Sequence, residues 1–140
     1  MQTKRHPNES AGDYLARLTH LTLNGKSISR MCNLQHCRDL RTLYLYDNQI
    51  ERIENLPRHC NLTHLYLQNN SIGSMQGLSN LVHLEKLHIE DNEITTLEGL
   101  EGCTKLQQLH VRGQRLPKGA HFQFDKGTLS QIAPSLRVRV

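Results

Sequence analysis

One motif recurs at a fixed interval along most of the chain, and it leaves little freedom in how the chain can fold. Leu-x-x-Leu-x-Leu-x-x-Asn-x-Ile occurs as Leu40, Leu43, Leu45, Asn48 and Ile50, then as Leu62, Leu65, Leu67, Asn70 and Ile72, then as Leu84, Leu87, Ile89, Asn92 and Ile94, 22 residues apart each time. A looser copy precedes these, Leu18, Leu21, Leu23, Lys26 and Ile28, and another follows, Leu106, Leu109, Val111, Gln114 and Leu116. A unit this short cannot bury its own apolar face, so successive copies must stack and share one core.

The chemistry of the unit sets its expected shape. Leu-x-Leu alternates inward and outward as a strand does, and stacked copies give a parallel sheet on a concave inner face. Asn48, Asn70 and Asn92 fall where the chain turns away from the strand. There a side-chain amide can satisfy turn backbone groups that would otherwise be buried without partners. Further apolar columns follow in the second half of each unit, Met31, Ile53, Met75 and Leu97, then Leu34, Leu56, Leu78 and Leu100. Their spacing suits short helices or helical turns covering the core from the convex side. The expected fold class is therefore α/β, a solenoid. With 23 Leu, two Phe and no Trp, its core must be aliphatic and regular.

Two segments fall outside the regular pattern. Residues 1–17 match no repeat and read as a disordered polar arm leading into a partial cap around Tyr14 and Leu15. The repeat domain then runs over 18–140, with repeats starting at 18, 40, 62, 84 and 106 and a truncated one at 136. The fifth repeat is long: 30 residues separate Leu106 from Leu136, and the extra stretch contains Pro117, Gly119, Phe122, Phe124 and Gly127. Val138-Arg139-Val140 reads as the opening of a sixth strand, with no polar cap after it. That ending fits a fragment or isoform of a longer repeat protein, and it leaves an open parallel edge through which copies could self-associate.

Net charge is +4, and its distribution says more than its size. Residues 1–39 balance to +3, 40–61 to zero, 62–83 carry no charge, 84–105 balance to −4 and 106–140 to +5. Nucleic-acid binders carry one continuous basic stripe, whereas here the sign alternates, so no nucleic-acid partner is expected. Met1 to Ser10 holds no apolar run of the signal-peptide kind, and no stretch approaches the ~18 apolar residues of a membrane span. The expectation is a soluble, cytoplasmic protein without membrane attachment.

The stretch Asn-Leu-Thr-His-Leu-Tyr-Leu-Gln-Asn-Asn-Ser-Ile at residues 61–72 resembles the 22-residue class of leucine-rich repeats. That class occurs in regulatory subunits of protein phosphatase 1 and in axonemal dynein light chain. A narrower resemblance to leucine-rich-repeat regulatory subunits of protein phosphatase 1 runs through Gln114-Arg115-Leu116-Pro117, Gly119, Phe122-Gln123-Phe124-Asp125 and Thr128-Leu129. Leu43-Tyr44-Leu45-Tyr46-Asp47-Asn48 and Leu97-Glu98-Gly99-Leu100-Glu101-Gly102 fit it too. The resemblance covers roughly residues 18–136. It implies a cytoplasmic adaptor linked to the phosphatase catalytic subunit and to tubulin-related proteins of the centrosome and microtubules. Two departures stand against it. Further repeats of the family are missing, and the basic-Val-x-Phe docking motif is absent, since Arg137-Val138-Arg139-Val140 ends in Val where an aromatic is wanted. Similar repeats in a spliceosomal protein leave a nuclear ribonucleoprotein adaptor as the alternative, beside an axonemal dynein-associated protein.

Strand side chains that alternate outward line the concave face. The fifth position of each repeat reads Thr22, Tyr44, Tyr66, His88 and His110, and the seventh reads Asn24, Tyr46, Gln68, Glu90 and Arg112. An unpaired outward stripe of Tyr is what protein interfaces use as anchors, although Tyr also simply favours strands. The expected partner-binding set is Tyr44, Tyr46, Tyr66, Gln68, His88, Glu90, His110 and Arg112. Around it Arg41, Asp47, His64, Glu85, Lys86, Asp91 and Gln107 form a polar rim.

Cys32, Cys37, Cys60 and Cys103 form no C-x-x-C pair. Cys37 and Cys103 share the repeat position of Leu81, which makes them small core residues. A zinc site from Cys32, His36, Cys37, His59 and Cys60 lacks regular ligand spacing, so no metal and no cofactor are expected. There is no Gly-rich phosphate loop and no nucleophile elbow, and a shallow repeat face offers no pocket for an acid–base pair. The reading is of a binding protein, not an enzyme.

Overall fold

The 22-residue interval becomes the pairing register of a parallel sheet. The computed structural model describes residues 4–57, 60–123 and 126–140. Six three-residue strands follow one another: β1 (His20–Thr22), β2 (Thr42–Tyr44), β3 (His64–Tyr66), β4 (Lys86–His88), β5 (Gln108–His110) and β6 (Arg137–Arg139). They pair in chain order, every pair parallel, with Leu21, Leu43, Leu65, Leu87 and Leu109 as successive partners. The fold is an α/β leucine-rich-repeat solenoid with few short helices. Each repeat delivers the same residues to the core. Leu18, Leu40, Leu62, Leu84 and Leu106 are buried one behind another, and so are Leu45, Leu67, Ile89 and Val111, and Ile50, Ile72 and Ile94. No helix of the described residues is long and apolar enough to cross a membrane.

The amide ladder joins the repeats. Asn70 Oδ1 accepts from the Ile50 amide at 3.0 Å, while its Nδ2 donates to the Leu45 carbonyl at 3.0 Å and to Leu67 at 3.1 Å. Asn48 does the same toward Lys26, Ile28 and Leu23, and Asn92 toward Ile72 and Leu67. Gln114 continues the ladder with its longer side chain, accepting from Ile94 at 2.9 Å and donating to Ile89 at 2.9 Å. Every rung thus binds its own turn and the preceding one.

The convex side is built from turns, with one 3-10 turn at Leu34–His36 among the described residues. The reason is a pair of left-handed columns. Gly25, Asp47, Asn69, Asp91 and Gly113 all have positive φ, and so do Asn33, Asn55, Gly77 and Gly99, each column spaced by 22 residues. The second column lies between the two apolar columns of the convex side, and a left-handed residue there ends any right-handed helix. At Gly77, with φ +103, a Cβ would sit 2.2 Å from the Ile53 carbonyl oxygen, so no side chain fits. The second repeat departs from the others. Leu56, expected in the core, is half-buried, while Pro57 and Cys60 are buried, a local slip of one residue. His59 lies outside the described residues.

The ends also differ from the sequence reading. In place of a disordered arm, α1 (Ala11–Ala16) forms ahead of β1, capped by the Ser10 hydroxyl, which accepts from the Asp13 amide at 3.1 Å. Tyr14 and Leu15 pack against the core. Arg17 holds Glu9 at 2.5 and 2.8 Å, and this bond keeps the Glu9 carboxyl down at about 2. At the other end the sixth repeat is offset by 29 residues rather than 30: Leu109 pairs with Val138 and Gln108 with Arg137. Leu136 therefore does not take the place of Leu106, and the start at 136 is one residue late. The insert returns to the body through a bridge between Thr96 and Gln123, half-buried Phe122, and α2 (Lys126–Ile132), which buries Leu129. Phe124 lies outside the described residues. The outer edge of β6 has no neighbouring strand among them, and exposed Arg137 and Arg139 flank it.

Three substitutions check this arrangement. Asn70→Ala should lower stability by ~1–3 kcal/mol, because it strands backbone groups of two repeats at once. Chemical denaturation reads this directly, and an unchanged midpoint would mean that the rung is replaceable. Gly77→Ala should cost about 1–3 kcal/mol from backbone strain alone, before the clash with Ile53 is counted. Gly73→Ala, where nothing lies within 4 Å of the added carbon, should be close to neutral in the same assay.

Candidate functional site

Parallel strands lie about 4.8 Å apart, and a perfect register places equal positions opposite each other. Outward rings at the fifth position must therefore stack or clash. Here they stack. Tyr44 and Tyr66 have ring centroids 4.8 Å apart at 14°, Tyr66 and His88 4.9 Å apart at 24°, and His88 and His110 4.0 Å apart at 23°. Tyr46 stands edge-on to Tyr44 at 6.5 Å and 87°. The stripe is continuous and its rings cover one another, so the expectation of unpaired tyrosines is corrected: each ring is half-buried by its neighbours.

The seventh position runs beside this row. Glu90 is buried, Tyr46 and Gln68 are half-buried, and Arg112 is exposed. Glu90 Oε1 lies 3.3 Å from His88 Nδ1 and 3.4 Å from His110 Nδ1. Its Oε2, like Gln68 Oε1, is buried without a hydrogen-bond partner among the described residues. Of the eight residues expected to face a partner, seven are thus gathered into one half-buried band, and Arg112 extends it toward solvent. In the rim, Arg41, Asp47, Asp91 and Gln107 are exposed, and His64, Glu85 and Lys86 are half-buried.

Electrostatics divide the band. Burial first, then the neighbouring His88, holds His110 below the ordinary histidine value, with Glu90 pulling the other way. Burial and Lys86 likewise depress His64. Burial, and secondarily Tyr44, pushes the Tyr66 phenol up. The cysteines contribute nothing to this face. Cys37, Cys60 and Cys103 are buried thiols raised by burial, Cys103 to about 11, and Cys32 is exposed on the far side. An open cleft there, lined by Cys32, Asn33, Gln35, Arg38, Asn55, Leu56 and Pro57, gathers no acid–base pair among the described residues.

Sequence reasoning passed over the convergence of His88, Glu90 and His110, since it sought ligands only around the cysteines, with His36 and His59 beside them. The signal was there: His-x-Glu at the end of one strand with a second His one repeat later.

Comparison with known proteins supports the architecture. The family description Leucine Rich repeats (2 copies) matches residues 60–102. Among solved structures, a leucine-rich-repeat protein of Leptospira interrogans superposes with a TM-score of 0.71 at 23% identity, over 94% of this chain and 34% of that one. An internalin of Listeria monocytogenes, InlF, gives a TM-score of 0.71 at 25% identity, over 91% and 36%. The chain spans about a third of the length of these structures.

The depressed histidine gives a prediction with a defined sign. A group whose folded pKa lies below its unfolded value stabilises the fold fully above the unfolded value and loses that contribution as pH falls through it. In an NMR titration the His110 ring should therefore protonate below the ordinary 6.5. Glu90→Gln, which removes the one nearby group raising it, should lower that midpoint further. A midpoint at the ordinary value would show that His110 is solvated and the stack open, and one above it that the pull of Glu90 outweighs burial.

Proposed function

We propose that this chain is a protein-binding adaptor whose concave strand face docks a partner protein, acting by recognition and not by catalysis. The observation that carries this reading is the stacked row Tyr44, Tyr66, His88 and His110. Interface energy concentrates in a few aromatic anchors inside a polar rim. Rings already fixed by stacking have little side-chain freedom left to lose on binding. The uncharged stretch 62–83 supplies the middle of the face, so a partner desolvates no formal charge there.

The finer reading rests on the resemblance of residues 114–129 to protein phosphatase 1 regulatory subunit 42. It makes the partner the phosphatase 1 catalytic subunit or a tubulin-related protein, and the setting the cytoplasm at the centrosome and microtubules. Docking would then run through the concave face and not through Arg137-Val138-Arg139-Val140. That segment is drawn into β6, where Val138 is half-buried against the core and is not free to act as a linear motif.

Binding of the purified chain to phosphatase 1 catalytic subunit, to tubulin and to purified splicing components separates the readings. Affinity for either of the first two supports the phosphatase and cytoskeleton assignment, and affinity for the last alone supports the ribonucleoprotein alternative. Against whichever partner binds, Tyr44→Ala together with Tyr66→Ala should weaken affinity by about 2 kcal/mol or more, with the fold retained by circular dichroism. Unchanged affinity in the folded double variant would move the binding site off this face.

A further inference from the structure

We infer that His88, Glu90 and His110 form a binding site on the concave face for a divalent transition-metal ion of the zinc class. The three residues offer two imidazole nitrogens and one carboxylate oxygen, all within 4.8 Å of one another. His88 and His110 are register partners on β4 and β5, and Glu90 follows His88 by two residues, just past the end of β4.

The distances favour a shared ion over a plain hydrogen bond. The nitrogens lie 3.3 and 3.4 Å from Glu90 Oε1. Charge-assisted N–H···O bonds run ~2.7–2.9 Å, so these contacts are long for that purpose. Ligands about 2.0–2.1 Å from a tetrahedral ion stand roughly 3.3–3.4 Å from each other, which matches. The carboxylate supplies the second argument. Glu90 is only 8% exposed, yet its Oε2 has no hydrogen-bond partner among the described residues. A buried carboxylate in that condition carries a desolvation penalty that a bound cation removes.

Imidazole and carboxylate together suit zinc, cobalt and nickel. Three protein ligands leave the fourth position open toward solvent, as in sites that exchange a water or a donor from outside. The two rings, now stacked at 23°, must splay so that both Nδ1 lone pairs converge on the ion. Both side chains are partly exposed. The inference goes beyond the adaptor reading and needs no partner to be tested.

The test uses the full chain without a polyhistidine tag, titrated with Zn²⁺ by calorimetry and with Co²⁺ by visible absorption. Expected is one ion per chain, a tetrahedral cobalt spectrum without thiolate-to-metal charge transfer, and shifts confined to the His88 and His110 ring signals in NMR. Glu90→Gln and His110→Gln should each weaken binding by ~100-fold or more, beyond what loss of an outer-shell partner costs. His36→Gln, exposed in the 3-10 turn away from the cluster, should leave it unchanged. Should either ligand variant fail to fold by circular dichroism, the other and the wild-type ring shifts decide. No binding, binding that survives both substitutions, or a thiolate band from the cysteines overturns the assignment.

Discussion

One side-chain amide per repeat ties each turn of this solenoid to the turn before it. A carboxamide can do this because it carries a donor and an acceptor on one short plane. Asn70 spends the acceptor on the Ile50 amide and the donor on the Leu45 and Leu67 carbonyls, so it closes its own turn and spans to the previous repeat. Repeating that rung at a constant interval fixes the register of the strands. The register in turn decides which side chains stack on the outer face and which fill the core. Where the motif lacks an amide, at Lys26, the backbone still receives one from Asn48. Where it offers Gln114 instead of Asn, the longer arm reaches the same class of partners.

Much of this was legible in the sequence because it depends on periodicity alone. A 22-residue interval of Leu, Leu and Asn specifies parallel strands, an aliphatic core and an amide ladder without knowledge of any coordinate. The convex side was less legible, because its shape depends on backbone conformation rather than on hydrophobic spacing. Apolar residues three apart leave both short helices and helical turns open. The left-handed column of Asn33, Asn55, Gly77 and Gly99 lies between those residues and decides for turns. That column could have been read, since Gly and Asn are the residues that tolerate positive φ. The slip at Pro57 and Cys60 and the 29-residue offset of β6 could not, because both depend on how an irregular segment packs.

The candidate site divides in the same way. Which residues face outward followed from alternation along each strand, and seven of the eight lie together in one band. What alternation cannot tell is that strands about 4.8 Å apart bring equal positions to ring-stacking distance. Tyr44 and Tyr66 are therefore walls for each other as well as surfaces for a partner. Nor does an outward position imply exposure. Glu90 occupies one and is buried, because the His88 and His110 rings close over it from two adjacent strands.

That burial gives the face two chemically different ends on one continuous stack. The Tyr44 and Tyr66 end presents apolar ring surface and phenol hydroxyls, and the Tyr66 phenol, its pKa raised by burial, stays neutral well into the alkaline range. The other end has a titratable ring in His110 and a buried carboxylate in Glu90, and it lies where the acidic stretch 84–105, which carries His88 and Glu90, meets the basic stretch 106–140, which carries His110. Protons or cations can therefore change one end while the other keeps its chemistry. The rings between them are in van der Waals contact from Tyr44 to His110, so a rotation of His88 reaches Tyr66 through their 4.9 Å stack. A partner spanning both ends would meet a constant apolar anchor beside a contact that responds to its surroundings. Under the proposed adaptor reading, the tyrosine half would set how strongly the face binds, and the histidine half under which conditions it does.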